Sequence, residues 1–257
     1  MPPRPATPAD GLCWITGAGS GIGAATALEL VRRGWRVAIS ARRRESLEAV
    51  AALAPERIIV APCDVTDAGG VITTLAALEQ EHGPVARAFL NAGISIHGKA
   101  PDLDVAAVRR IIDTNVMGVF HSAAPLLKGM AARGHGQIAI CASIAGYGGL
   151  ARASAYTASK AAMINAATAL AIEGRRLGIL VQCVNPGFVD TPLTRKNSFP
   201  MPFLMTPEAA AVRVADGLAR SRFEIAFPRR LAWPMKALNL LPYDLYIRLS
   251  AFGERFR

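Results

Sequence analysis

The chain has 257 residues, 52% hydrophobic and 19% charged, which is enough apolar material for a sizeable core and argues against a disordered chain. No run reaches the roughly 18–20 uninterrupted apolar residues that cross a bilayer, which argues against a spanning helix. The formal net charge of +10 admits phosphate-bearing ligands, an anionic membrane surface or nucleic acid, and only the placement of the cations separates these.

The opening MPPRPATPAD holds four prolines and no apolar run, so residues 1–10 read as a flexible tail rather than a signal peptide. Leu12–Thr16 is a short apolar run of strand type, and a helical stretch over residues 21–33 closes at Gly34. Residues 36–40 form the next strand, followed by a charged helix to about Ala54. Residues 57–61 and Val85–Leu90 are further strands, with a helix around residues 71–81 between them. Residues 104–133 suit one long helix, 137–141 a strand, 154–176 a helix, 179–184 a strand and 223–227 a last strand. This alternation predicts an α/β fold with a doubly wound, Rossmann-like parallel sheet of about seven strands, in three layers with helices on both faces. A single domain over residues 11–228 and a basic amphipathic extension over residues 229–257 account for the pattern. Cys13, Cys63, Cys141 and Cys183 lack metal-type pairing and sit in or beside apolar runs. They read as buried thiols of a reducing compartment, which implies a cytoplasmic protein without a bound metal.

Between the first strand and the first helix lies Thr16-Gly17-Ala18-Gly19-Ser20-Gly21-Ile22-Gly23. Glycines permit a tight turn and let a pyrophosphate approach the helix N-terminus, where free N–H groups and the helix dipole favour an anion. A purely structural turn also uses glycine; the position between strand and helix is what points to a nucleotide. At the end of the second strand, an acidic residue would bind the ribose hydroxyls of NAD. The chain instead reads Ser40-Ala41-Arg42-Arg43. Arginine offers a planar fork suited to an extra phosphate, so NADP(H) is the expected cofactor, with Arg42 its main contact and NAD(H) the alternative.

Further along, Tyr156-Thr157-Ala158-Ser159-Lys160 places a phenol and an ammonium four residues apart on one helix face. Free tyrosine has a pKa of about 10, and a nearby positive charge lowers it toward the range of a usable general acid or base. Ser143, just beyond a strand, offers a hydroxyl to a substrate oxygen as charge develops there. Asn115 lies inside a helical stretch, where asparagine is intrinsically unfavourable and needs a reason.

The glycine turn, Asn91-Ala92-Gly93, Ser143, Tyr156-x-x-x-Lys160 and Asn185-Pro186-Gly187, in this order, resemble the short-chain dehydrogenase/reductase family in its compact single-domain branch. The likeness spans roughly residues 12–227. It implies a catalytic set of Asn115, Ser143, Tyr156 and Lys160, in which Asn115 distorts its helix and holds a water that relays protons to Lys160. It implies that Gly17, Gly19, Ser20, Gly21, Ile22 and Gly23 cradle the cofactor. By the same likeness Asp64 and Val65 meet the adenine, although a helix cap is an alternative role for Asp64. Asn91, Ala92 and Gly93 would pass beside the adenosine ribose, Tyr156 and Lys160 would touch the cofactor, and Pro186, Gly187, Val189 and Thr191 would flank the nicotinamide. Leu90 departs from the fuller N-N-A-G form. The expected activity is hydride transfer between nicotinamide and a carbonyl or secondary alcohol, in the direction of a ketone reduced by NADPH, with Tyr156 as general acid and base. A non-catalytic NADP-binding sensor or scaffold is the alternative, and the family likeness also implies a homodimer or homotetramer.

Residues 192–207 form an apolar lid containing Phe199, Met201, Phe203, Leu204 and Met205, which suggests a hydrophobic small-molecule substrate; packing onto the domain or a partner accounts for it equally. Between residues 220 and 257, eight Lys or Arg stand against three Asp or Glu, interleaved with residues such as Trp233, Leu240, Tyr243 and Ile247. That mixture fits an interfacial helix on an anionic membrane, or a helix docked on another subunit. No nucleic-acid motif accompanies the charge, and nucleic acid is not an expected partner.

Overall fold

Continuous apolar runs, rather than alternating ones, build the centre of the fold. β1 (Leu12–Thr16), β4 (Val85–Leu90), β5 (Gly136–Cys141) and β6 (Ile179–Pro186) are buried along their whole length, as a sheet covered on both faces requires. With β2 (Val37–Ser40), β3 (Ile58–Val60) and β7 (Glu224–Phe227) they form one parallel sheet of seven strands in the order β3-β2-β1-β4-β5-β6-β7. This structure, a computed structural model, describes residues 3–197 and 199–254.

The period-two alternation of each strand divides the core in two. Cys13 and Ile15 face α1 (Gly21–Arg32), α2 (Arg44–Ala51) and α7 (Pro207–Leu218), through Leu30, Leu47 and Val214. Leu12 and Trp14 face α3 (Ala68–His82), α5 (Gly118–Arg133) and α6 (Ser154–Gly174), through Leu75, Leu126 and Met163. The result is the expected three-layer, doubly wound arrangement. Strand order reverses between β1 and β4, so the loops leaving these neighbours part and open a crevice at their carboxyl ends.

Two segments differ from the sequence reading, and the C-terminal extension takes a shape that the reading left open. Residues 104–133 do not form one uninterrupted α-helix: α4 (Val105–Ile112) passes into a π-helical turn over Asp113–Met117 before α5 begins. The buried Asn115 sits in that turn, and its bonds to the backbone of Ile94 hold the widened turn in place. Such insertions concentrate at functional sites.

The opening stretch is not a flexible tail from residue 3 onward, while Met1 and Pro2 of that expected tail lie outside the described residues. Ala6 is buried; its N–H donates to Gln137 Oε1 at 2.9 Å and its carbonyl accepts from Arg87. Arg4 pairs with Asp10 at 2.6 Å across a short 3-10 turn, Pro8–Asp10. The prolines that suggested a tail instead restrict φ and so lower the entropic cost of laying the chain across the sheet end. Arg87 on β4, Gln137 on β5 and Gln182 on β6 form a buried polar ladder there. The Arg87 guanidinium also stacks 4.2 Å from the Trp35 ring, and burial lowers its pKa to about 10.

The C-terminal extension is two helices, α8 (Arg229–Leu238) and α9 (Tyr243–Glu254), folded back on the loops at the carboxyl end of the sheet. Ala232 and Tyr246 are buried, and the Tyr246 hydroxyl donates to the Gly149 carbonyl at 2.7 Å. Residues 255–257 of the extension and Ser198 of the expected lid lie outside the described residues. Among the described residues no helix is long and apolar enough to cross a membrane. All four cysteines are free and buried.

Candidate active site

The glycine turn occupies the crevice. Gly17 and Gly21 have φ values of +67° and +57°, a region that penalises a Cβ. A Cβ on Gly17 would fall 2.6 Å from Ala92 Cα, and one on Gly21 would fall 2.9 Å from Thr191 Cγ2. Ser20 precedes α1 without a side-chain capping bond, so it leaves the first-turn N–H groups of that helix unsatisfied. Asn91 locks the turn from the other side: its Nδ2 donates to the carbonyls of Thr16 at 3.2 Å and Gly17 at 3.1 Å.

Three adjoining cavities make one trough along the carboxyl ends of the strands. The middle one, about 360 Å³, is lined by Gly17, Ser20, Gly21, Ile22, Asn91, Gly93, Ser143, Tyr156, Lys160, Pro186, Gly187, Val189 and Thr191. On the β2 side a cavity of about 330 Å³ shares Gly17, Ser20 and Gly93 with it and adds Gly19, Arg42, Arg43, Asp64, Val65 and Ala92. On the α8 side a cavity of about 290 Å³ shares Ser143, Tyr156 and Gly187 with the middle one and adds His97, Ile144, Phe188, Phe199, Leu231 and Met235. Tyr156 and Ser143 therefore stand at the junction of the middle and far cavities.

Around that junction, Lys160 is buried and its Nζ donates to the Cys141 carbonyl at 2.8 Å, 5.8 Å from the centroid of the Tyr156 ring. Among the described residues no carboxylate pairs with this ammonium. Burial pushes the neighbouring Cys141 thiol up, outweighing the opposite pull of Lys160, which leaves it a neutral wall group. Ser143 Oγ accepts from the Ala145 N–H at 3.1 Å and donates to the Pro186 carbonyl at 3.3 Å. Its hydroxyl thus faces the trough already aligned by two backbone groups.

Most of the expected residues line the trough; Gly23 and Asn115 do not, and Asn91 and Asp64 line it while also bonding within the surrounding turns. Gly23 packs behind the turn, where a Cβ would meet the Gly17 carbonyl at 2.5 Å. Asn91 spends its amide on the glycine turn. Asp64 caps no helix: its Oδ1 accepts from Thr66 N–H at 3.0 Å and Thr66 Oγ1 at 2.9 Å, and α3 is capped by Asp67 instead. Asn115 lies behind the trough and reaches Lys160 by no direct bond. It joins Tyr156 through Ser159, a residue the sequence reading passed over because its hydroxyl matters only once the π-helical turn is beside it. Leu231 and Met235 were also missed as wall residues; their i, i+4 spacing on an apolar stripe was the available signal. In the lid, Phe199 packs edge-on against Phe188 at 6.0 Å, whereas Phe203 and Leu204 are exposed. No cluster of metal-binding side chains occurs among the described residues.

Comparison with known proteins gives matches throughout this architecture. The family described as short chain dehydrogenase matches residues 12–200. An uncharacterized oxidoreductase of Myxococcus xanthus is 38% identical over 246 residues, covering 95% of this chain and 96% of that protein, so the likeness runs into the C-terminal helices. The cis-4-hydroxycyclohexanecarboxylate dehydrogenase of Sinomonas cyclohexanicum is 39% identical over 72% of this chain and 76% of its own length. Among solved structures, an actinorhodin polyketide ketoreductase variant with NADPH superposes with a TM-score of 0.80 at 29% identity, covering 88% of this chain and 99% of that one.

Proposed function

The chain belongs to the short-chain dehydrogenase family of oxidoreductases, and from that premise we propose that it reduces a hydrophobic ketone with NADPH, using Tyr156 as general acid. The observation that carries this reading is the buried Lys160 ammonium, unpaired among the described residues, beside the Tyr156 phenol where two cavities meet.

The trough fits a dinucleotide. A glycine turn with no room for side chains leads into the uncapped start of α1, which suits a pyrophosphate. Arg42 and Arg43 border the β2-side cavity beside Ala41, which favours a phosphate on the ribose, since the end of β2 itself carries no carboxylate. When bound, the nicotinamide cofactor supplies or accepts the hydride. Ser143, turning its hydroxyl from the Pro186 carbonyl, holds the substrate oxygen. Tyr156 gives its phenolic proton to that oxygen as the carbonyl becomes an alcohol, and takes it back in the reverse direction. Lys160 stabilises the phenolate left behind, and Asn115 fixes the turn of α6 that bears Tyr156 through Ser159. The printed activities of two relatives, a hydroxycyclohexanecarboxylate dehydrogenase and a polyketide ketoreductase, support alcohol–ketone chemistry. A non-catalytic sensor or scaffold would have no use for this set. An NADPH-oxidation screen against ketones and aldehydes graded by size separates the two: ketone-dependent turnover supports the enzyme, and its complete absence supports the sensor.

A second reading concerns partners. Arg213, Arg220, Arg222, Arg229 and Arg230 line a cleft of about 790 Å³ beside β7, together with Asp216 and Glu224, whose carboxylates pair with Arg33 and Lys236. Nearby helices α8 and α9 expose Trp233, Leu240, Tyr243, Ile247 and Leu249. Cations next to uncovered apolar side chains favour peripheral contact with an anionic membrane. Co-sedimentation of the full chain with vesicles of phosphatidylcholine, with and without phosphatidylglycerol, tests this. The family likeness favours a homodimer or homotetramer, and four reduced core thiols favour the cytoplasm.

A further inference from the structure

The substrate-side cavity is closed by a part of the chain that the glycine turn and the Tyr156 helix do not explain. Leu231 and Met235, one turn apart on α8, form its far wall, and Leu231 lies against Gly187. One carboxylate ties α8 to the other segments around this cavity. Glu224 on the last strand accepts from the Tyr147 hydroxyl at 2.7 Å and from Asn185 Nδ2 at 2.8 Å through Oε1, while its Oε2 pairs with Lys236. The Lys236 ammonium also sits 5.2 Å from the Tyr147 ring centroid.

These three partners come from three segments around the cavity. Asn185 begins the Pro186-Gly187 turn, Tyr147 belongs to the loop that starts at Ser143, and Lys236 follows Met235 on α8. Tyr246 of α9 adds a second tie to the same loop, at the Gly149 carbonyl, and the next four residues, Leu150 to Ala153, line the cavity. Charge-assisted bonds of this kind are about twice as strong as neutral ones, and a part-buried carboxylate that binds three groups fixes their spacing. Tyr147 is unsuited to proton transfer itself, because burial and then Glu224 push its phenol up.

Resting on the reductase reading above, we infer that Met235 and Leu231 select the substrate by its bulk, and that Glu224 is the positioning residue that sets their distance from Tyr156. The cavity volume of about 290 Å³ lies at the small end of ligand pockets, which run from about 300 to 1,000 Å³. With Ile144, Phe188 and Phe199 on its other sides, it suits a compact apolar ketone of one or two rings, or a short branched chain. Met235 is a determinant on the side away from the nicotinamide end, so a change there alters fit without touching the reacting atoms.

The test compares the wild-type full chain with Met235→Ala, Met235→Trp and Glu224→Gln on cyclohexanone and 2-decalone, measuring both turnover and ketone binding by calorimetry. Met235→Ala shifts the 2-decalone to cyclohexanone ratio of kcat/KM upward by about tenfold, the scale set by a few methylenes in an apolar pocket, and Met235→Trp shifts it downward by as much. Glu224→Gln raises KM for 2-decalone more than it lowers kcat, because the wall loosens while Tyr156 and Lys160 stay in place. General unfolding would depress both substrates in every variant, so opposite shifts in the two Met235 variants isolate the wall. Unchanged ratios in all three variants overturn the inference. If wild type binds the ketones without reducing them, the reductase reading fails, and the binding ratios alone judge the wall. If it binds neither ketone, the inference fails as well.

Discussion

Asn115 Nδ2 donates to Ser159 Oγ at 3.0 Å, and the Ser159 hydroxyl in turn donates to the Tyr156 carbonyl at 2.7 Å. The π-helical turn and the turn of α6 that bears the phenol are thereby one hydrogen-bonded unit. Asn115→Ala leaves the Ile94 N–H and carbonyl without partners and is expected to cost about 2–4 kcal/mol in urea unfolding. Ser159→Ala removes only the tie, with an expected loss of about 1 kcal/mol and a fall in kcat of about tenfold from the misplaced phenol. Unaltered kcat in Ser159→Ala would show that the tie does not position Tyr156.

Cofactor preference follows from the β2 end. If Arg42 holds the extra phosphate as proposed, a charge-assisted bond of about 1.5–3 kcal/mol is lost in Arg42→Ala, which then lowers kcat/KM for NADPH by about 10- to 100-fold and leaves that for NADH nearly unchanged. Ala41→Asp moves the preference further toward NADH. Steady-state kinetics with both cofactors checks this, and equal losses for the two would contradict it.

Acid stability reports on Glu224. Burial raises this carboxyl, but the bonds from Lys236, Tyr147 and Asn185 outweigh burial and leave its pKa below the ordinary 4.5. A carboxylate with a depressed folded pKa stabilises the fold above its unfolded pKa and loses that contribution as pH falls through the folded value. The wild type is therefore more stable than Glu224→Gln above about pH 4.5, and the gap in Tm narrows on further acidification. Parallel Tm curves from pH 7 to pH 3 would rule out the depressed pKa.

At the opposite end of the sheet, Arg87 donates to Gln137 Oε1 and to the carbonyls of Ala6 and Leu218, with no carboxylate partner among the described residues. Arg87→Met keeps the bulk but strips these acceptors, and is expected to destabilise by about 2–4 kcal/mol. Faster hydrogen exchange at the Ala6 amide should accompany it. A variant as stable as the wild type would mean that the N-terminal segment is held by other contacts.

What could be read in advance was local. The strand runs, the glycine turn and the i, i+4 pair Tyr156–Lys160 carry their geometry in adjacent residues, and the sheet with its crevice follows from their order. The π-helical turn was only half legible: Asn115 signalled a distortion, but the Ile94 backbone that sustains it is twenty-one positions away. The Arg87–Gln137–Gln182 ladder depends on strand register across two crossovers, so three scattered polar residues gave no hint of a shared buried site. For the same reason the prolines of the N-terminus suggested looseness, although Ala6 between them is held by Arg87 on β4 and Gln137 on β5. The C-terminal helices showed apolar and basic character without showing that Leu231, Met235 and Tyr246 turn inward, because the groups they meet, such as Glu224 and Gly149, are far away in sequence.

In the proposed reaction Tyr156 transfers the proton of a ketone reduction driven by NADPH. The most direct measurement is Tyr156→Phe, assayed for NADPH oxidation with a ketone that the wild type reduces, and for NADPH binding by fluorescence titration. Removing a general acid costs about 10²- to 10⁴-fold in kcat, and the predicted result is a loss of that size with cofactor affinity unchanged. Turnover at the wild-type rate would contradict the account.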